Sequence, residues 1–69
     1  MHKYERIRYW SEQDQKFIVE VPELAGCMAD GETAAEALEN VETVISEWIE
    51  TAKAIGREIP VPKGKLMYA

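Results

Sequence analysis

Between Thr33 and Gly56, the apolar residues Ala34, Ala37, Leu38, Val41, Ile45, Trp48, Ile49, Ala52 and Ile55 recur at the spacing of one helical face. Both ends of the run carry boundary signals. Thr33 can act as N-cap, Glu36 three residues on completes a capping-box pattern, and Gly56 suits the position that stops a helix. A single long amphipathic helix constrains the rest of the chain. It can cover one face of a small sheet and no more.

The residues ahead of the helix supply that sheet. Residues 3–10, rich in aromatic and β-branched side chains, predict a first strand. Ser11–Gln15 is short and polar, the profile of a hairpin loop. Phe17–Val21 predicts a second strand that Pro22 ends, and a third, short strand is expected around Cys27–Ala29, between Gly26 and Gly31. After the helix, Glu58–Pro62 contains two prolines, which restrict it to an edge strand or an extended cover. The expected fold is one α+β domain over residues 1–69, β-β-β-α-β, with a three-stranded antiparallel sheet, one covering helix and a short C-terminal edge strand. Its ordered core is expected at about 3–62, with 63–69 a loosely held tail.

Strand alternation then assigns faces. Ile7, Phe17, Val19 and Val21 are expected under the helix, leaving Tyr4, Arg6, Arg8, Trp10, Ile18 and Glu20 on the open face. Such a mixture of aromatic, basic and aliphatic side chains resembles a protein interface. A domain this small buries only about 60% of its unfolded surface. Its core is therefore thin, and association is expected, with a dimer favoured. Arg6, Arg8, Trp10 and Ile18 form the first candidate contact surface.

Eight Lys and Arg against thirteen Asp and Glu give a net charge of −5. That balance disfavours non-specific nucleic-acid binding, which depends on phosphate neutralisation, and it suits a basic protein partner. Glu36, Glu39, Glu47 and Glu50 lie mostly on the solvent side of the helix, with Glu42 near the boundary. They form a second candidate surface, although such a stripe is also what an ordinary solvated helix presents.

The residue types that carry chemistry are sparse. Cys27, the single cysteine, reads as a small hydrophobe in an apolar strand. His2 sits at the terminus without a nucleophile or second histidine nearby in sequence. Glu5, Asp14, Asp30 and Glu58 are spread over separate elements, whereas a two-metal nuclease needs converging carboxylates. With no Gly-rich phosphate loop either, the expectation is a non-enzyme without metal or cofactor. The absence of an apolar signal segment or a membrane-length apolar run leads to an expected cytoplasmic location.

The stretch Val21-Pro22-Glu23-Leu24-Ala25-Gly26-Cys27, followed by Asp30-Gly31-Glu32-Thr33-Ala34-Ala35-Glu36-Ala37, resembles the HicB antitoxin family. That family shows V-P-E-L-P-G-C at the end of a strand, a short strand, and G-D-T-x-x-E-A opening a helix. Phe17 and the early Tyr4 also fit, and the resemblance covers roughly residues 4–62. Ala25 stands where the family usually has Pro, and Glu32 where it usually has Asp.

The resemblance implies a partial ribonuclease H-like fold without the nuclease's metal-binding carboxylates. It implies a type II antitoxin that binds a HicA-type toxin, a small basic mRNA-cleaving protein, and covers its active site. Many HicB proteins carry a second, operator-binding domain. Only seven residues follow Pro62 here, so direct DNA binding by this chain is not expected. Two other classes stay open: a stand-alone, self-associating interaction domain, and a degenerate nuclease with residual metal-dependent activity.

Overall fold

The computed structural model describes residues 3–62; His2 and the tail Lys63–Ala69 lie outside the described residues. Three strands, β1 (Ile7–Ser11), β2 (Lys16–Glu20) and β3 (Met28–Gly31), precede one helix, α1 (Ala34–Ala54). The sheet is antiparallel throughout, in the order β1-β2-β3.

The helix ends where its local chemistry dictates. The Thr33 hydroxyl accepts a hydrogen bond from the Glu36 amide at 3.1 Å, satisfying one of the orphan first-turn donors. The Glu36 carboxylate reaches back to the Glu32 amide at 3.2 Å, one residue beyond the usual capping-box target. At the other end, Gly56 adopts φ 74°. Its amide donates to Lys53 and the Arg57 amide donates to Ala52, the paired bonds of a Schellman motif. Ala37, Val41, Ile45 and Ala52 are buried along the inner stripe, with Leu38, Val44, Trp48 and Ile49 packed beside them. Ile55, expected on that stripe, is instead the exposed C-cap, because the chain leaves the helix there.

Between β2 and β3 the chain folds into two successive turns. The Leu24 amide donates to Val21 at 3.1 Å, the Cys27 amide to Leu24 at 2.9 Å, and the Val21 amide to Cys27 at 3.0 Å. Three bonds thus close a ring through residues spaced three apart, and all three side chains point into the core. Pro22 follows the first corner, and Gly26, at φ 75°, fills the left-handed position of the second. This is the physical content of the V-P-E-L-A-G-C stretch: a covalently short loop whose backbone is self-satisfied while it buries Val21, Leu24 and Cys27.

The helix packs mainly on β3 and β2. Val19, Val21, Leu24, Cys27 and Tyr4 form the sheet-side half of the core beneath Ala37, Val41 and Ile45. The β2 face expectation is met: Val19 is buried and Phe17 packs against the core. The β1 expectation is reversed. Directly paired residues share a face, and the register sets Trp10 opposite Phe17 and Arg8 opposite Val19. Trp10, Arg8, Arg6 and Tyr4 therefore alternate on the helix side, while Ile7 and Tyr9 share the open face with Ile18 and Glu20.

The cause is a single residue. The polar run Ser11–Gln15 suggested a five-residue loop, but Ser11 pairs with Lys16 and the loop is only residues 12–15. Ser11 is drawn into the strand end because its hydroxyl both accepts from the Asp14 amide and donates to the Asp14 carboxylate, each at 3.2 Å. Shifting register by one residue turns every side chain of a strand over. Residues 57–62 form no strand. The hydroxyl of buried Tyr4 donates to the Pro60 carbonyl, which holds that point of the segment beside the chain's beginning.

Candidate functional site

Two surfaces invite a partner, and the fold builds each from a different source. The first is β1. The helix lies toward β3, so β1 is left beyond most of its cover, and Ile7, Arg8, Tyr9 and Trp10 are all exposed. Exposure of 42–48% for Ile7, Tyr9 and Trp10 is high for large apolar side chains in a sheet. Trp10 packs edge-on against Phe17, with ring centroids 5.0 Å apart, and its indole N–H donates to the Glu12 carboxylate at 2.7 Å. On the other face the Tyr9 hydroxyl donates to Glu20 at 2.7 Å, and that bond holds the phenol's proton and raises its pKa above the usual 10.0.

The open face continues from Ile7 and Tyr9 to Ile18 and to Met28, which is 47% exposed. Ile18 itself is buried, because the central strand sets it between Tyr9 and Asp30. A shallow depression of about 530 Å³ runs from Tyr9, Ile18 and Met28 past the β3 edge to Asn40 and Val44 of the helix. There the Asn40 amide donates to the Asp30 carbonyl at 2.8 Å and blunts the β3 edge.

The second surface is the outer side of α1. At about 100° per residue, Glu36, Glu39, Glu47 and Glu50 fall within an arc of roughly 80°. That arc lies opposite the buried stripe of Ala37, Val41, Ile45 and Ala52, and all four acids are exposed. Glu42 sits at the boundary, as expected, and pairs with Arg6 across the sheet–helix junction.

The four residues of the first candidate surface do not form one patch. Arg6 is bound to Glu42 and to the Tyr4 carbonyl, Arg8 and Trp10 lie on the helix side of β1, and Ile18 lies on the opposite face. The four acids of the second candidate surface do form one. Sequence reasoning missed Ile7, Tyr9 and Met28 as members of the open face. The signal that could have found the first two was the four-residue loop, from which the register follows.

Cys27 is buried beneath the turn, and desolvation pushes its thiol above the usual 9.0, against the opposing pull of Arg6. A thiol so placed is a packing group, since the thiolate is the reactive form. Among the described residues no three His, Cys, Asp or Glu side chains gather where they could hold a metal ion, and no helix is long and apolar enough to cross a membrane.

Among the described residues these elements define a one-helix, three-stranded α+β domain whose second sheet face and first strand are exposed. A family model described as UPF0150-like matches residues 3–62, and the chain belongs to that family. It is 43% identical over 44 residues to a UPF0150 protein of Synechocystis, a match covering 64% of this chain and 60% of that relative's length. It is 39% identical over 49 residues to a UPF0150 protein of Thermoplasma acidophilum, covering 71% of each. No solved structure matches the chain.

Proposed function

We propose that this domain is a HicB-like antitoxin module that binds a small, basic, HicA-type mRNA-cleaving toxin and blocks its RNA site sterically. Its partial ribonuclease H-like character belongs to the same reading, as do a cytoplasmic setting and a role without catalysis. The observation that carries the reading is the acidic stripe of Glu36, Glu39, Glu47 and Glu50 on the outer face of α1. A site that holds RNA must present positive charge, and an exposed, rigidly mounted row of carboxylates competes for that charge directly. The V-P-E-L-A-G-C and G-E-T-A-A-E-A stretches support it as well, since they build the turn ring and the capped helix start that hold the stripe in place.

The test is co-purification with a HicA-type toxin coupled to an RNA cleavage assay. The expected result is a stable complex that silences cleavage. Glu39→Lys with Glu47→Lys, both on exposed positions, should weaken inhibition at least tenfold while the domain stays folded. Cleavage that continues in the presence of the unaltered domain, for every HicA-type toxin tried, would overturn the reading. A second reading, a self-associating interaction domain without a toxin, is favoured by one observation: both faces of β1 are exposed.

A further inference from the structure

We infer that the depression running from the open sheet face past β3 to α1 seats a lysine- or arginine-bearing segment of the basic toxin, so that the contact surface wraps from the acidic side of α1 onto the sheet. The inference rests on the antitoxin reading and deepens it by naming where the toxin's cations are held. The strand register assembles the floor. Directly paired residues share a face, so Tyr9, Ile18 and Asp30 form one row across the three strands, and Ile7, Glu20 and Met28 form the next. The depression, about 530 Å³, takes Tyr9, Ile18, Asp30 and Met28 from these rows and reaches Asn40 and Val44 of the helix.

Its lining suits one kind of occupant. Ile18, Met28 and Val44 make part of it apolar, and Met28, 47% exposed, is a flexible side chain that adapts to what lies on it. The charged residues among those that line it are Asp14 and Asp30, both acidic. Lys16, on the same sheet face, stands opposite Ser11 at the hairpin end and is not part of the lining. A purely apolar segment would strip water from those carboxylates without replacing it, and an anionic one would be repelled. An arginine or lysine meets both demands: its aliphatic stem covers the apolar part while its charged head bonds a carboxylate. The Asn40 amide bonds the Asp30 backbone carbonyl, so that bond does not engage the carboxylate. Helical spacing joins the depression to the acidic stripe. Glu36 lies one turn before Asn40 and Glu47 one turn after Val44, and residues so spaced are neighbours on a helix surface. One basic partner therefore meets carboxylates of helix and sheet in a single surface. The contact is made by side chains and needs no free strand edge.

The test is titration of the methyl-labelled full chain with a catalytically inactivated HicA-type toxin, followed by NMR, with dissociation constants from calorimetry. The expected result is shift changes at the Ile18, Met28 and Val44 methyls. Asp30→Asn should raise the dissociation constant about tenfold, and Asp30→Glu should keep most of the affinity. Met28→Ala should raise it about threefold by removing the support of the cation's stem. Glu58→Gln removes the same charge at an exposed position outside the lining and should change it less than about twofold. Circular dichroism of each variant checks that the fold is retained. A toxin that binds the unaltered chain but is indifferent to Asp30→Asn and Met28→Ala overturns the inference alone and leaves the antitoxin reading on the helix stripe. If no HicA-type toxin binds the unaltered chain, the reading falls and the inference with it. In the free chain, through-space contacts from the Met28 methyl to residues 63–69, or Met28 shifts that change with concentration, put the chain's own tail or a second copy in the depression and also overturn it.

Discussion

Gly31 and Ala37 approach so closely that a Cβ on the glycine would stand 2.6 Å from the alanine's backbone nitrogen. The end of β3 is thereby pressed against the first turn of α1, and Phe17 lies directly across from Gly31 on β2. The contact is backbone on backbone, so no side-chain rotation relieves it. Gly31→Ala should destabilise the domain by about 2–3 kcal/mol through overpacking. Gly26→Ala meets nothing within 4 Å and is strained only by its φ of 75°, so about 1–2 kcal/mol is expected. Urea unfolding of both variants checks the order, and a Gly31→Ala variant as stable as the parent would refute the close packing.

Ala25 occupies the corner before Gly26 in the second turn of the Val21–Cys27 ring, the position where such turns favour proline. The three ring bonds are donated by Val21, Leu24 and Cys27, so the Ala25 amide is not among them. Ala25→Pro should stabilise the fold by about 0.4–1 kcal/mol, chiefly by restricting the unfolded chain. A higher melting temperature with an unchanged denaturant slope is the expected reading.

Trp48 ties the helix to that same ring, its indole N–H donating to the Ala25 carbonyl at 2.9 Å while Arg57 stacks 5.0 Å above its ring. Trp48→Phe keeps most of the ring packing and removes the donor. The expected loss is about 1 kcal/mol. Measured against the Ala25→Pro background, the loss should be unchanged, since the carbonyl survives the proline.

Stability should fall at alkaline pH. Burial raises the Cys27 thiol above its usual 9.0 and the Tyr4 phenol above its usual 10.0, with Glu23 adding to the latter. In both cases the unfolded chain releases its proton first, so the folded state binds more protons in that range and stability declines as pH rises. The contribution is whole below about pH 9 and is lost progressively as pH climbs through the raised folded values. Melting temperatures taken from pH 7 to 11 should be level and then drop. Cys27→Ala should delay the onset toward the tyrosine range.

The helix was legible because its signals are local: Thr33 and Glu36 meet within one turn, and Gly56 needs only its own φ. The faces of β2 were legible because Val19 and Val21 contrast with Glu20. The face of β1 was not, since Ile7 and Tyr9 on one side match Tyr4 and Trp10 on the other in apolar content. There, alternation carries no preference, and the hairpin register decides.

The sequence by itself determined the order of the three strands and the helix, the helix limits and the row of four glutamates, because each follows from neighbours a few residues apart. Tertiary structure decided which side of β1 meets the helix, that Arg6 pairs with Glu42 rather than facing a partner, and that Ile18 is buried between its neighbours. It also decided that Gly31 must be glycine, a demand created only when β3 meets α1. Those outcomes rest on where the helix sits over the sheet and on one residue of loop length. Neither is a property of any short stretch of chain.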